Sequence, residues 1–311
     1  MTGIASRVSF VVYACPKSGT TWVQRLISAH PSLCCGESSP FGLYHNPTNP
    51  TGTHISLDEM ARQLTRHKQP PLAGQAFTKR LTFELWDGVA RAYARQTGAR
   101  VYGEKFTPFR GTADVAVRGL AEYGGLRCAH LVRDGRDVVA SAAAHQLNIA
   151  ASVPPGASPS AESPEQARRW LRERRIPPYV LEVATRIWIE TNRAFLNAQH
   201  EFPGSIRVRY EDLLEQPEVE AMRLLRFVAG PLVDVSEQSA RDCVAAASFE
   251  TLSGGRARGQ EDATSFFRKG VRGDWVHWFT PDDYAYFLEV AAGMMSTLGY
   301  DTAGKPARLA S

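Results

Sequence analysis

Residues 8–22 read VSFVVYACPKSGTTW, an apolar run that leads directly into a loop rich in glycine, serine and threonine. The run Val8–Ala14 has the β-branched and aromatic residues of a buried strand, and apolar residues at helical spacing follow from Thr20. A strand, a short loop and a helix in this order place backbone N–H groups at a helix N-terminus, which attracts anions. The stretch predicts an α/β fold with an anion site after its first strand.

The rest of the chain repeats this alternation of short β-rich runs and helical patterns. Further strands are predicted at 101–106, 127–132 and 206–210, and helices begin near Thr112, Arg133, Tyr179 and Pro217. The last helix is predicted to start at Pro281 after an N-cap at Thr280 and to end at Gly299. We expect a single domain over residues 1–311, with a central parallel sheet flanked by helices.

Two segments interrupt the alternation. Residues 36–75 are rich in Pro, Gly, Thr and His without periodicity, and residues 151–178 join a Pro/Ser-rich loop to a short basic helix capped at Ser163. Inserts of this kind in an α/β domain are typically lids or substrate-binding loops, so we expect them to cover a binding pocket. On composition alone, a solvated loop without function is an equal interpretation for 151–163.

Composition narrows the class of protein. A formal net charge of +4 in 311 residues fits a pocket for an anionic small molecule better than a nucleic-acid surface. Five cysteines without a CxxC pair indicate neither a disulfide framework nor a zinc site, and we expect no metal. No run approaches the roughly 20 apolar residues of a membrane span, and no signal peptide is visible. We expect a cytoplasmic protein without nucleic-acid or membrane partners.

The loop after the first strand carries the first chemical motif. Gly19 would allow close backbone approach, Thr20 and Thr21 would add hydroxyl donors, and Lys17 a mobile positive charge. The lysine precedes the glycine here, whereas in a Walker A loop it follows the glycine and is itself followed by Ser or Thr. Taken alone, a capped helix without a ligand explains such a turn equally well.

A second basic stretch, HLVRDGRDVVAS, ends the strand predicted at 127–132. Arg133 closes that strand and Ser141 follows two helical turns later, so both could face one anion at the carboxyl edge, where open α/β sheets bind ligands. A surface network in which Arg133 and Arg136 pair with Asp134 and Asp137 is the alternative.

The third stretch, FFRKGVRGDW, lies near the C-terminus. Arg268, Lys269 and Gly270 form a compact basic clasp with a permissive glycine, and a charged surface loop is the alternative.

In this order the motifs resemble those of the sulfotransferases that use 3′-phosphoadenosine 5′-phosphosulfate (PAPS). PKSGTTW is similar to their 5′-phosphosulfate loop, RDGRDVVAS to their 3′-phosphate motif, and RKGVRGDWVHWFT to the C-terminal signature of the cytosolic branch. VRYEDLL and ASFETL resemble the segments that carry an adenine-contacting Tyr and Phe. The matches span Val8 to about Thr280. The resemblance implies the P-loop-like nucleotide-binding fold of that family.

The resemblance also implies three groups of contacts to PAPS and to its product, adenosine 3′,5′-bisphosphate (PAP). The phosphosulfate group comprises Lys17, Ser18, Gly19, Thr20, Thr21 and Trp22. The 3′-phosphate group comprises Arg133, Ser141, Arg268, Lys269 and Gly270. The adenine group comprises Tyr210 and Phe249, with Ser248 as a polar neighbour. One departure is Ala247, which stands where the cytosolic branch commonly has Thr and leaves one adenine hydrogen bond in question.

The general base is less clear from the motifs. The KTHLP-like histidine segment of aryl and steroid members is missing, and VYGEKFTPF resembles the GEK segments of carbohydrate-type and many bacterial members. That resemblance implies Glu104 as base and Lys105, beside Lys17, as charge stabiliser. Because adjacent strand residues point to opposite faces, one of the pair could instead face solvent or an ion-pair partner. The alternative base is a histidine. His145 is the first candidate because it lies on the helix that carries Ser141, and His45 and His54 on the first insert are the next candidates.

We therefore expect transfer of a sulfuryl group from PAPS to a hydroxyl of a small-molecule acceptor by in-line displacement. A phenol, an alcohol, a sugar or a natural product all stay open as acceptor, and so does a monomeric or homodimeric assembly. From the Ala- and Arg-rich composition we expect a role in natural-product tailoring. Trp170, Tyr179, Tyr44 and Phe109 are candidate aromatic walls of the acceptor pocket, although core packing explains these aromatic residues equally well.

Two alternative functions remain. A P-loop kinase or NTPase would need GxxxxGK[ST], which the loop lacks. A catalytically silent nucleotide-binding module would have no need of Lys17, Glu104 and Lys105 together.

Overall fold

The computed structural model describes residues 5–37, 75–108, 110–152 and 163–303. Its centre is a sheet of five parallel strands in the order β2-β3-β1-β4-β5. The strands are β1 Val8–Ala14, β2 Leu33–Glu37, β3 Val101–Phe106, β4 Arg127–Val132 and β5 Ile206–Arg209. The predicted α/β class is confirmed. Three predicted strands have the predicted bounds, and the fourth ends one residue early because Tyr210 begins a helix.

Helices cover both faces of the sheet. In chain order they are α1 Thr20–Ser28, α2 Gln75–Thr97, α3 Ala113–Tyr123, α4 Gly135–Ser152, α5 Pro164–Glu173, α6 Pro178–Ala198, α7 Tyr210–Glu215, α8 Pro217–Ala229, α9 Glu237–Ala246, α10 Phe249–Leu252 and α11 Pro281–Leu298. Short 3-10 turns lie at Gln199–Glu201, Gly230–Leu232 and Asp274–His277. Strand β2 and helix α2 were not predicted from the sequence.

The predicted ends of the last helix are confirmed. The Thr280 hydroxyl accepts a hydrogen bond from the Asp283 backbone N–H at 3.1 Å, and the Asp283 carboxylate accepts one from the Thr280 N–H at 2.9 Å. This reciprocal pair satisfies two free N–H groups of the first turn. Gly299 ends the helix in the left-handed conformation, with φ of 77°.

Alternation along β1 divides the core between the two faces. Phe10, Val12 and Ala14 pack with residues of α1, α8 and α9, whereas Val11 and Tyr13 pack with residues of α2, α3 and α6. A further apolar cluster joins α4, α6 and α11 and buries the tryptophans at 275 and 278 of the C-terminal motif. The core therefore anchors the segment that follows the basic clasp.

The order of the strands places the site. Strand β1 lies between β3 and β4, and the chain leaves it towards β2 on one side and reaches β4 on the other. Where the connections of a parallel sheet leave in opposite directions from one strand, a crevice opens at the carboxyl ends of the strands. The loops after β1, β3 and β4 meet there.

The two predicted inserts are described only in part. Residues 38–74 of the first lie outside the described residues, as do 153–162 of the second. Helix α5 confirms the predicted basic helix, and the Ser163 hydroxyl caps it by accepting a hydrogen bond from the Gln166 N–H at 3.2 Å. Among the described residues, none of the helices combines the length and apolarity that a membrane crossing requires.

Candidate active site at the carboxyl edge of the sheet

The loop between β1 and α1 has an unusual backbone. Lys17 has a φ of 70° and Gly19 a φ of 93°, in the left-handed region that favours glycine. A Cβ at Gly19 would lie 2.6 Å from the ring of Tyr210, so the contact also requires a glycine. The Ser18 hydroxyl is buried and has no hydrogen-bond partner within the described residues. This loop leaves donors unsatisfied at a helix N-terminus, as an anion site requires.

Four cationic side chains meet at this loop. Burial, together with the charges of Arg133, Arg268 and Lys105, lowers the pKa of Lys17 to about 8. The Lys105 ammonium donates a 2.8 Å hydrogen bond to the hydroxyl of Thr21, and Arg133 donates one of 3.1 Å to the Lys17 carbonyl. Residues from β3, from the end of β4 and from the C-terminal motif thus surround the loop. The positive charge suits a ligand with several negative charges.

A cavity of about 270 Å³ lies among these residues. Of the fourteen residues predicted to hold the donor nucleotide, all but Ser18 and Ser248 line it. The Ser248 hydroxyl instead caps α10, where it accepts a hydrogen bond from the Thr251 N–H at 3.1 Å. The structure therefore brings together the motifs that the sequence places far apart.

The aromatic end of the cavity is built around Tyr210. Its ring centroid lies 5.4 Å from that of Trp22, edge to face, and 4.3 Å from the Arg133 guanidinium carbon. The Trp22 indole donates a 2.9 Å hydrogen bond to the carbonyl of Ala247. Ala247 thus contributes through its backbone, although it lacks the threonine hydroxyl.

The basic clasp packs closely on the second aromatic residue. A Cβ at Gly270, which has a φ of 66°, would lie 2.3 Å from the ring of Phe249. Arg268 and Lys269 both bind the carboxylate of buried Asp274. Burial raises the pKa of Asp274, but the charges of Arg268 and Lys269 outweigh it and hold that pKa at about 2. Asp274 therefore holds the two cations of the clasp side by side.

The RDGRD motif has two roles rather than one. Arg136 pairs with Asp134 at 2.6 Å, as in the surface-network interpretation, but both side chains are buried. Asp137 accepts hydrogen bonds from the backbone N–H groups of Gly273 at 2.7 Å and Trp275 at 3.0 Å. Helix α4 is thereby tied to the C-terminal motif while Arg133 lines the cavity.

The predicted base Glu104 lies away from this cavity. Its side chain is 1% exposed, on the face of β3 opposite Lys105, and its Oε1 accepts a 2.9 Å hydrogen bond from the hydroxyl of Tyr102. Burial raises the pKa of Glu104 to about 7. Glu104 lines neither this cavity nor the one beside it. Its role as base stays a prediction.

The alternative base His145 lies in the second cavity, of about 500 Å³. Lys17, Ser141, Phe266 and Arg268 line both cavities, so they form the wall between the two. Partial burial and the charge of Lys17 lower the pKa of His145. This shift favours the uncharged imidazole of His145 at neutral pH.

Two of the predicted aromatic walls of the acceptor pocket lie away from these cavities. Trp170 packs against the apolar cluster around α4, and Tyr179 is 42% exposed; neither lines these two cavities. His45, His54, Tyr44 and Phe109 lie outside the described residues.

Sequence reasoning missed several lining residues. They are Pro16, Thr107, Leu214, Leu252, Arg258, Phe266, Phe267 and Val271. All but Arg258 stand inside a quoted motif, so membership of the motif was the available signal. Arg258 lies ten residues before Arg268 and outside any recognised motif.

Residues 125–299, more than half of the chain, match the family model described as the sulfotransferase domain. The chain belongs to the sulfotransferase family. Over 91 residues this sulfotransferase is 32% identical to cytosolic sulfotransferase 11 of Arabidopsis thaliana, a match that covers 27% of this chain and 26% of the plant protein. The alignment thus spans about a quarter of that relative's length.

Solved structures agree on the fold. Mouse sulfotransferase SULT7A1, crystallised with PAP, superposes with a TM-score of 0.52 at 16% identity, covering 94% of this chain and 85% of the mouse protein. The sulfotransferase domain of the curacin biosynthetic pathway gives a TM-score of 0.51 at 16% identity, covering 95% of this chain and 99% of that domain. At this identity the likeness concerns the fold alone.

Proposed function

We propose that this sulfotransferase transfers a sulfuryl group from PAPS to a hydroxyl of a small-molecule acceptor. The observation that carries the proposal is the wall of Lys17, Ser141, Phe266 and Arg268 between two cavities. One cavity has the cations and aromatic rings for a nucleotide with two anionic ends, and the other is open for an acceptor. The side chain of Lys17 stands where the two substrates would meet.

The residues of the first cavity fit the donor. The helix N-terminus, Lys17 and the threonines supply donors for a phosphosulfate, and the buried Ser18 hydroxyl still needs an acceptor. Arg133, Arg268 and Lys269 supply charge for a 3′-phosphate, which a planar guanidinium binds well. Tyr210 and Phe249 supply aromatic surface for adenine. The mouse protein of similar fold binds PAP, which supports the same nucleotide here.

The reaction forms a bond between the acceptor oxygen and sulfur while the bond from sulfur to the bridging phosphate oxygen breaks. The electron pair of the broken bond stays on the phosphate, so negative charge grows on the bridging oxygen. Lys17 is positioned to stabilise that charge, and the nearby ammonium of Lys105 adds to the positive potential. Fixed cations in a partly buried site do so without reorganisation.

The acceptor hydroxyl must also lose its proton. We assign this step to an unprotonated ring nitrogen of His145, because His145 lines the same cavity as Lys17. Glu104, with a pKa of about 7, is the competing base, although its side chain faces Tyr102 on the other side of β3. Variants of the two residues separate these assignments.

The second insert is proposed to act as a lid beside this cavity. Arg174, at the end of α5, binds Glu261 at 2.7 Å, and Glu261 also binds Arg268 of the clasp. The basic helix is therefore linked to the donor side. The five free cysteines fit a reducing compartment, and we propose the cytoplasm.

The test is transfer of label from sulfur-labelled PAPS to a panel of phenols, alcohols, sugars, natural products and carrier-bound hydroxyacyl groups. We expect labelled product with one class, formed without added metal. If PAP binds but no class accepts label, the chain acts as a nucleotide-binding module and the proposal fails.

A further inference from the structure

The segment from Ser253 to Phe267 links the aromatic wall at Phe249 to the clasp at Arg268. It contains neither an α-helix nor a strand, and its three glycines, Gly254, Gly255 and Gly259, have φ values of 74°, 98° and 93°. A segment of this kind has no ladder of backbone hydrogen bonds to fix its shape. Individual side-chain and backbone contacts therefore set where its end, and so the clasp, lies.

Arg256 makes several of those contacts. Its Nη1 donates hydrogen bonds of 3.0 Å to the carbonyls of Gln260 and Arg268. Its Nη2 donates to the Ser265 hydroxyl at 2.9 Å and to the Phe267 carbonyl at 2.6 Å. One guanidinium thus binds three points of the segment and, in addition, the backbone carbonyl of the clasp residue Arg268.

The same guanidinium reaches the aromatic wall. Its central carbon lies 5.4 Å from the centroid of the Phe249 ring. Two backbone hydrogen bonds also tie the segment to the clasp. The Gly259 N–H donates to the Lys269 carbonyl at 2.9 Å, and the Asp262 N–H donates to the Arg268 carbonyl at 3.0 Å. Arg256 is the side chain that contacts both the adenine wall and the clasp backbone.

We propose that Arg256 is a positioning residue for the donor nucleotide. It holds the backbone of Arg268 at a fixed distance from the ring of Phe249, so that the clasp and the adenine wall fit one nucleotide. Arg256 does not itself line the cavity, so it acts through these two residues. This inference rests on the proposed function, since it concerns the same nucleotide.

The choice of arginine is essential to the proposal. A guanidinium offers five N–H donors in a fixed plane, whereas a lysine ammonium offers three on a flexible stem. Lysine at this position would keep the charge near Phe249 but would not bind four acceptors at once. The variant Arg256→Lys therefore separates geometry from charge.

The experiment measures binding of PAP and of adenosine 5′-monophosphate (AMP) by calorimetry. The two ligands share adenine and the 5′-phosphate, and only PAP carries the 3′-phosphate that the clasp would bind. The proteins are the wild type, Arg256→Met, Arg256→Lys and a control, Arg241→Met, which removes an exposed arginine of α9. Melting temperatures without ligand and steady-state rates with PAPS complete the set.

We expect PAP to bind Arg256→Met at least about tenfold more weakly, and AMP no more than about threefold. Arg256→Lys should behave like Arg256→Met, and Arg241→Met like the wild type. The Michaelis constant for PAPS should rise while the turnover number at saturation stays within about twofold. Recognition of the 3′-phosphate is then what Arg256 supports.

Other outcomes overturn the proposal. A lower melting temperature with unchanged PAP affinity would mean that Arg256 only stabilises the fold, and equal losses for PAP and AMP would remove the link to the clasp. If Arg256→Met does not fold, Arg256→Lys decides between these outcomes. Failure of the wild type to bind PAP would instead refute the proposed function.

Discussion

The backbone of Gly19 lies directly against the ring of Tyr210, because a Cβ on Gly19 would come within 2.6 Å of the ring. The loop after β1 and the start of α7 are therefore in contact without space for a side chain. The same ring lies 4.3 Å from the Arg133 guanidinium. The loop after β1, Tyr210 and Arg133 form one packed unit.

Gly19→Ala should disrupt that unit. The methyl group would meet the Tyr210 ring, and a φ of 93° costs an alanine on the order of 1–2 kcal/mol. We expect PAP affinity to fall by at least about a hundredfold, measured by calorimetry, because loop and ring must move apart. The matched control is Gly98→Ala, which has a φ of 74° and nothing within 4 Å of an added Cβ. Equal PAP affinity in the two variants would refute the contact argument.

The affinity for PAP should fall as the pH rises through about 8. Burial and three neighbouring cations lower the pKa of Lys17 to about 8, so its charge is present below that pH and lost above it. A bound polyanion favours the charged form, so the dissociation constant rises by up to about tenfold per pH unit above 8. Titrations from pH 7 to 9.5 check this.

Lys17→Arg is the control for that titration, because arginine keeps its charge over the whole range. Its PAP affinity should depend little on pH between 7 and 9.5. The same steep fall in Lys17→Arg as in the wild type would assign the titration to another group.

His145→Gln should lower the turnover number by about a hundredfold or more while PAP affinity stays unchanged. Burial and the Lys17 charge lower the pKa of His145, so the acid limb of the rate should lie below pH 6.5. Glu104→Gln should keep most of the turnover. The control is His200→Gln, whose side chain is 74% exposed. The reverse order of effects would make Glu104 the base.

Asp274→Asn should destabilise the folded protein, since it leaves Arg268 and Lys269 without their shared carboxylate. The expected loss in the free energy of unfolding is about 3 kcal/mol at pH 7, measured in urea. Because the pKa of Asp274 is held at about 2, its contribution is complete above pH 3.8 and is lost as the pH falls towards 2. The control Asp282→Asn, at an exposed position, should change the free energy of unfolding little. An equally small change in Asp274→Asn would contradict the pairing of Asp274 with Arg268 and Lys269.

The sequence predicted best what is local. Strands β1, β3 and β4 and the caps of α11 depend on neighbouring residues, and their patterns are strong. Strand β2, with the five residues LCCGE, includes a glycine and has no alternating pattern to read. Helix α2 follows directly on a segment without periodicity, which obscured its start.

The site shows the same limit. Each basic motif could be found because its residues lie close together in the chain, but each one alone left a structural alternative open, and only the order of the motifs joined them. The hydrogen bonds that hold the motifs together were not predictable, because they join residues far apart in the chain. The Asp137 carboxylate, for example, accepts a hydrogen bond from the N–H of Trp275, 138 residues later. Glu104 and Lys105 show the other difficulty, because strand alternation sends neighbours to opposite faces and a motif does not say which faces the cavity.

The most direct test of the central claim is calorimetric titration with PAP without metal, against ATP with Mg²⁺. The cations around Lys17 and the clasp at Arg268 and Lys269 predict that PAP binds at least about tenfold more tightly than ATP with Mg²⁺. Arg133→Ala should abolish most of that preference. Tight binding of ATP with Mg²⁺ and none of PAP would contradict the claim.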